Sequence, residues 1–207
     1  MKSKIIITFS LLLFVFIMIL VTTTVTSIVN QENDEITEEN FEEMLSTIYK
    51  DVSTYVQIEH IYGKYCQTEH GRMITQIALQ IKPFFSTEIS LEKLIIEIVD
   101  QRDVHMRYYS GSASSIFPYS LFDHPEWINA TSTDFSMISI FDLDSSITQY
   151  NLINEYSDRA YILLRLNDDQ WINPSEHIEM NLLFDFGVNR YLNLQAPFST
   201  KDVVQFY

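Results

Sequence analysis

The hydrophobic pattern divides the chain into three parts. An uncharged and mostly apolar stretch, Ile5–Val29, begins directly after Lys2-Ser3-Lys4. In the acidic stretch that follows, apolar residues recur at mostly helical spacing, namely Ile36, Phe41, Met44, Leu45 and Ile48. From about Val52 the pattern changes to short alternating runs of apolar and polar residues. This order predicts a long helix, apolar in residues 5–29 and amphipathic in residues 30–50, followed by a β domain in residues 51–207.

The apolar stretch admits three interpretations. As a helix it spans about 37 Å, enough to cross a hydrocarbon core of roughly 30 Å. A cleaved signal peptide is disfavoured, because the stretch is long and ends in the β-branched sequence TTTVTSIV rather than in small residues. A membrane anchor fits, and so does a helix that rests in the membrane until it packs with copies of itself. Composition alone does not separate these two, since lipid and a filament core both require an apolar surface.

Nine runs rich in Ile, Val, Phe and Tyr predict strands after the helix. They are Thr54–Tyr62, Met73–Ile81, Leu94–Asp100, Val104–Tyr109, Phe135–Leu143, Ala160–Leu166, His177–Phe184, Arg190–Leu194 and Val203–Tyr207. Turn-forming groups separate them, at Tyr62-Gly63, Lys82-Pro83, Ser110-Gly111-Ser112, Asn167-Asp168-Asp169 and Phe186-Gly187. The predicted fold is α+β in overall content, with a long N-terminal apolar helix followed by an all-β, immunoglobulin-like sandwich.

Charge restricts the partners and the orientation. The net charge is −15, and because Lys2 and Lys4 precede the apolar stretch, the part beyond it is more acidic still. Phosphate binding needs clustered Lys and Arg, which the sequence lacks, so we expect no nucleic acid partner. Basic residues before the span predict an inside N-terminus and an outside C-terminal domain. Cys66 is the single cysteine, so an intrachain disulfide is excluded and the exported domain must be held by its core.

The segment Ser110–Ser132 is the clearest long loop. It contains the aromatic residues Phe117, Tyr119, Phe122 and Trp127, which suits folding against the sandwich or against a neighbour. It also contains Asn129-Ala130-Thr131, an acceptor sequence for N-glycosylation. On an exported domain this triplet predicts a surface site that carries a glycan at Asn129.

No residue pattern predicts catalysis or a cofactor. The histidines stand far apart, and Cys66 with His70 lacks the further ligands of a zinc site. Asp142 and Asp144 resemble the start of a calcium loop, but the required Gly and closing Glu are missing. We interpret them as strand-end carboxylates that face water, and a weak ion site is the alternative. We therefore predict no catalytic residues, no metal ligands, no cofactor and no enzymatic activity.

Three stretches of sequence, together with the order of the elements, resemble archaeal flagellins (archaellins). They are DVSTYVQIEHIYGKY, MITQIALQIKPFFSTEISLEKLIIEIVD and the ending FGVNRYLNLQAPFSTKDVVQFY. The last is similar to the family ending, in which a Gly-containing turn precedes a strand, a segment with Pro197 and Ser199, and a final strand that finishes in an aromatic residue. The resemblance covers nearly the whole chain and rests on pattern and order.

The resemblance implies a structural subunit of the archaellum filament that supports swimming motility. Such subunits are inserted in the membrane as precursors, trimmed by a prepilin-type peptidase and added by an assembly platform to a helical filament of identical copies. Their helices form the filament core and their β domains form the sheath. In this sequence the polymerisation helix would present Ile5, Phe9, Leu12, Phe16, Ile19 and Val25.

The leader departs from the family pattern. The family precursor is cut after a small residue, usually Gly, whereas here the corresponding positions are Ser3 and Lys4. The helix has bulky Phe9, Phe14 and Phe16 where archaellins use Gly and Ala. Both features favour the alternative, a membrane-anchored archaellin-like sandwich that acts as archaellum stator, pilin-like adhesin or surface-layer contact protein. An anchored extracellular enzyme or receptor is a third hypothesis, without a site pattern in its support.

Overall fold

The structure is a computed structural model that describes residues 41, 43–48, 55–99, 103–114, 118–186 and 188–206. The chain divides into two compact units, Met1–Thr47 and Ile48–Tyr207. Residues 41 and 43–48 are helical, as the pattern predicts for the acidic stretch. The predicted apolar helix Ile5–Val29 lies outside the described residues. Among the residues described, no helix is both long enough and apolar enough to span a membrane.

The second unit is built from strands. In chain order they are β1 (Val56–Thr68), β2 (Gly71–Pro83), β3 (Ile89–Ser90), β4 (Ile95–Val99), β5 (Val104–Ala113), β6 (Asp134–Phe141), β7 (Leu152–Ile153), β8 (Arg159–Arg165), β9 (His177–Leu183), β10 (Arg190–Gln195) and β11 (Val203–Gln205). Short 3-10 turns lie at Leu91–Lys93, Leu121–Asp123, Pro125–Ile128 and Asp168–Gln170, and one helical turn at Ser146–Gln149. All nine predicted strands are present, and the short pair β3–β7 adds to them.

Nine of the strands form one sheet in the order β10-β9-β4-β5-β6-β8-β2-β1-β11. All neighbours are antiparallel except β5 and β6, which are parallel. The sheet curls on itself, because buried side chains from both halves belong to one hydrophobic core. This core joins Ile77 and Leu79 of β2 with Ile96 of β4 and Met180 of β9. The domain is therefore a mostly-β, sandwich-like fold.

A second, smaller core covers the outer face of the sheet. Phe122 and Trp127, only 8% and 4% exposed, pack there against Ala78, Ile138 and Leu163. Their rings stack with centroids 5.5 Å apart, and the Trp127 indole donates a hydrogen bond of 2.8 Å to the Leu121 carbonyl. Strands β2, β6 and β8 consequently have buried residues on both faces.

Two predicted turns are wrong. Gly63 lies inside β1, where a Cβ would stand 2.8 Å from Phe206 Cε2 and 3.1 Å from Ile74 Cδ1. This glycine therefore permits a close approach between neighbours instead of a turn. Gly111 lies inside β5 at φ +150°, where the register with β6 shifts. The strand continues to Ala113, so the predicted loop Ser110–Ser132 begins later than its glycine suggests.

Candidate functional site

Three carboxylates meet at one edge of the domain. Asp142 and Asp144 follow β6, and Asp158 directly precedes β8. The strands are antiparallel neighbours, with Phe141 opposite Arg159, so the end of one meets the start of the other. Each aspartate offers one oxygen to a group whose oxygens all lie within 4.8 Å of one another. We call Asp142, Asp144 and Asp158 the aspartate cluster.

Backbone N–H groups fix the orientation of these carboxylates. Asp142 accepts hydrogen bonds from the amides of Ser146 at 2.9 Å and Ile147 at 3.2 Å, which satisfies two amides at the start of the helical turn. Asp144 accepts one from Ser146 N at 3.0 Å and one from Asn154 Nδ2 at 2.7 Å. The cluster is therefore held by its own loops.

Asp158 is the most buried member, with 1% of its surface exposed. Its Oδ2 accepts hydrogen bonds from the amides of Asn154 at 3.1 Å and Glu155 at 2.9 Å. Its Oδ1 is buried and has no hydrogen-bond partner. A buried carboxylate oxygen without a partner carries a large desolvation cost. Asp158 therefore combines a buried oxygen that lacks a partner with membership of the aspartate cluster.

The surroundings shift the pKa values of Asp142 and Asp144 in opposite directions. Burial raises the pKa of Asp142, and the hydrogen bond with Asp144 and the charge of Asp158 add to the rise. The pKa of Asp144 is lowered to about 2, mainly by the Asn154 amide and then by the Ser146 backbone. None of the ion pairs found among the described residues involves these aspartates.

This arrangement can bind a hard cation. Carboxylate oxygens are the ligands that Ca²⁺ and Mg²⁺ prefer, and an ion between the three would offset their repulsion. The sequence predicts Asp142 and Asp144 as strand-end carboxylates that face water; Asp144 is exposed and Asp142 is partly buried. Sequence reasoning missed Asp158, because no spacing motif connects a residue that only the strand register brings close.

Asn129 lies at the end of the 3-10 turn Pro125–Ile128, exposed on the surface. Its Nδ2 donates a hydrogen bond of 2.9 Å to Glu126 Oε1. Thr131 of the same triplet is also exposed, and its hydroxyl donates to Asp134 Oδ2 at 2.6 Å. Both side chains are therefore reachable from solvent.

The C-terminal segment packs against strands β1 and β2. After β10 the chain crosses to the opposite end of the sheet, where β11 pairs with Tyr62–Lys64 of β1. The Tyr65 hydroxyl donates a hydrogen bond of 2.7 Å to the Pro197 carbonyl. Arg72 donates to the carbonyls of Ser199 and Lys201, and its guanidinium lies 4.7 Å from the centroid of the Tyr65 ring. The sequence around Pro197 and Ser199 thus forms a fixed crossing.

The other predicted site residues lie outside the described residues. They are the leader residues Ser3 and Lys4 and the polymerisation-helix residues Ile5, Phe9, Leu12, Phe16, Ile19 and Val25.

Comparison with known proteins identifies the fold. No protein-family model and no curated protein matches the sequence. The sandwich-like domain does match solved structures, and among them are archaeal flagellins. The archaeal flagellin FlaB1 from Methanocaldococcus jannaschii superposes with a TM-score of 0.64 at 21% sequence identity, covering 73% of this chain and 95% of that one.

A second match is the archaeal flagellum of Methanospirillum hungatei strain JF1. It has a TM-score of 0.50 and 10% sequence identity, and it covers 93% of this chain and 94% of that one. At such identities the comparison establishes the fold. The resemblance seen in the sequence is confirmed at this level: the chain has the fold of archaeal flagellins.

Proposed function

We propose that this chain is a structural subunit of an archaellum filament that supports swimming motility. The observation that carries the proposal is the match, over 93% of the chain, to the subunit of an archaeal flagellum. The sequence adds the apolar stretch Ile5–Val29 ahead of an acidic, mostly-β domain. The β domain stands on the outside of the filament, and the apolar stretch forms its core.

The physical basis for assembly is the apolar stretch. A long apolar helix needs lipid or other apolar helices around it. Packing against copies of the same helix replaces the lipid, with Ile5, Phe9, Leu12, Phe16, Ile19 and Val25 in the contacts. A head-to-tail contact that does not close on itself generates an open helical array. Before assembly the subunit is a membrane-inserted precursor with its N-terminus inside and its β domain outside.

Processing and delivery belong to the same proposal. A prepilin-type peptidase removes the leader at Ser3 or Lys4, and an assembly platform adds the subunit to the filament base. The outer domain carries a glycan at Asn129, supported by the exposure of both Asn129 and Thr131. Peptide mass spectrometry checks the glycan: Asn129→Gln removes the added mass and leaves the fold unchanged.

The alternative is a membrane-anchored protein with the same sandwich, acting as archaellum stator, adhesin or surface-layer contact protein. The observation that favours it is the leader, which has Ser3 and Lys4 where the family has a small residue, usually Gly. An uncut precursor keeps the basic residues Lys2 and Lys4 at the membrane surface and stays anchored.

Mechanical shearing separates the two functions. A filament subunit leaves the cell with the sheared fraction, whereas an anchored protein stays with the membranes. The variant Leu12→Glu introduces a charge into the apolar stretch and should abolish filament recovery. Glu69→Gln, in the exposed turn between β1 and β2, is the control that should assemble normally. Recovery of the wild-type protein only in membranes would establish the alternative.

A further inference from the structure

A groove of about 510 Å³ opens where the outer face of the sheet meets the second core. Its walls are Tyr62 and Lys64 of β1, Tyr161 of β8, Phe122, Asp123 and Asp202. We call it the tyrosine groove. Its volume lies in the range of about 300–1,000 Å³ that is typical of small-molecule sites. It is separate from the aspartate cluster, with which it shares no residue.

Two tyrosine rings form the apolar wall. Tyr62 and Tyr161 both line the groove, and their rings meet edge to face with centroids 6.3 Å apart. Burial raises the pKa of Tyr161, and the neighbouring Tyr62 and Glu59 raise it further. The Tyr161 hydroxyl therefore stays protonated at neutral pH and can donate a hydrogen bond. Aromatic faces of this kind bind flat apolar surfaces that have polar edges.

Charges of both signs line the polar rim. Lys64 Nζ lies 3.4 Å from Asp123 Oδ1 and 5.9 Å from the centroid of the Phe122 ring. The Ser120 hydroxyl and then Lys64 lower the pKa of Asp123, which keeps this carboxylate an ionised acceptor. Asp202 pairs with Arg72 at 3.2 Å. The rim thus offers both donors and acceptors, and each of its two carboxylates is paired with a basic side chain, Asp123 with Lys64 in the rim and Asp202 with Arg72 beside it.

This balance selects the ligand. A cation meets Lys64, and an anion meets Asp123 and Asp202, so a strongly charged ligand of either sign is repelled by part of the rim. A neutral polyol ring has hydroxyls that both donate and accept, together with a C–H face that packs on a tyrosine ring. We propose that the tyrosine groove binds a neutral saccharide. The proposal does not depend on filament assembly.

Titration calorimetry on the full chain tests this directly, in a detergent without a sugar headgroup. The probes are cellotriose and chitotriose as neutral saccharides and an oligogalacturonate as the charged comparison. We expect saturable binding of a neutral probe, weakened about tenfold by Tyr62→Ala or Tyr161→Ala, the effect of losing an aromatic face. Tyr191→Ala, an exposed strand tyrosine outside the groove, should bind as the wild type does.

Asp123→Asn keeps the shape of the rim and should also weaken binding, which keeps the test valid if a tyrosine variant fails to fold. The saccharide can come from outside or from a glycan on the chain itself. If the groove holds the chain's own glycan, the Asn129→Gln variant binds added probe and the glycosylated wild type does not; for an external saccharide both bind. Absence of saturable binding in both forms, equal binding by all groove variants, or tighter binding of the charged probe would each overturn the proposal.

Discussion

The guanidinium of Arg190 lies over the ring of Tyr55, 4.7 Å from its centroid, and donates a hydrogen bond of 2.6 Å to the tyrosine hydroxyl. Tyr55 precedes β1, and Arg190 begins β10, which are near opposite ends of the sheet order. One pair of side chains therefore joins the two ends of the curled sheet. This contact closes the domain where the chain enters its first strand.

Removing this contact should destabilise the domain. Arg190→Ala loses both the cation–π contact and a hydrogen bond from a charged donor, so we expect a loss of about 2 kcal/mol in the free energy of unfolding. Tyr55→Phe keeps the ring and should lose about 1 kcal/mol. Urea denaturation of both single variants and of the double variant measures the coupling. Additive losses would show that the two residues act independently.

The buried Arg107 should depend on Gln170. Arg107 is only 2% exposed and donates a hydrogen bond of 2.5 Å to Gln170 Oε1. Burial lowers its pKa, partly offset by Asp169 and Asp134. Gln170→Leu leaves the charge without this acceptor and should cost about 3 kcal/mol, whereas Arg107→Met removes the charge and should cost less. Chemical denaturation measures the free energy of unfolding of both variants. A larger loss for Arg107→Met than for Gln170→Leu would contradict the prediction.

The close approach at Gly63 should be sensitive to one methyl group. Gly63→Ala places a Cβ against Phe206 and Ile74, and relieving the overlap should cost about 1–3 kcal/mol. The matched test is the double variant Gly63→Ala with Phe206→Leu, since the smaller side chain makes room. Thermal unfolding should show the double variant less destabilised than the sum of the single changes. Strict additivity would mean that Phe206 is not the obstacle.

Calcium should reverse the effect of Asp158→Asn on the stability of the domain. Asp158→Asn keeps an acceptor for the amides of Asn154 and Glu155 and removes one repelling charge. In a chelator we expect this variant to be about 1 kcal/mol more stable than the wild type. With calcium at about a hundred times its dissociation constant, the wild type should gain about 2.7 kcal/mol and the variant much less. Equal responses of the two proteins to calcium would exclude the cation site.

The contributions of Asp142 and Asp144 to the stability of the domain should change with pH in opposite directions. The pKa of Asp144 is depressed to about 2, so its stabilising contribution is present above about 3.9, the ordinary value for Asp, and is lost as the pH falls toward 2. The raised pKa of Asp142 has the opposite effect, since its contribution is full in acid and is lost as the pH rises through the folded-state value.

Asp144→Asn should therefore destabilise the domain at neutral pH and make little difference near pH 2. Denaturant titrations of wild type and variant across this range measure the difference. Glu69→Gln, in the β1–β2 turn and not a member of the cluster, provides the control for loss of a carboxylate. A difference between wild type and Asp144→Asn that does not change with pH would assign the effect to shape.

The strands could be predicted from the sequence because each depends on local alternation, as in the ITQIALQI of β2. Gly63 misled the prediction, since a glycine that permits close packing and one that makes a turn look alike in sequence. Asp158, Tyr55 and Arg190 could not be assigned, because register and curling bring their partners close across long separations. The surface position of Asn129 could be predicted, since its signal is a contiguous triplet, and glycosylation there stays a prediction.

Mass spectrometry of the mature N-terminus, on protein recovered from sheared filaments and from membranes of the same cells, tests filament assembly most directly. A filament subunit should appear in the sheared fraction with its leader removed, starting at Lys4 or Ile5, while the precursor that begins at Met1 stays with the membranes. Protein that begins at Met1 and is confined to the membrane fraction would contradict assembly and establish an anchored relative.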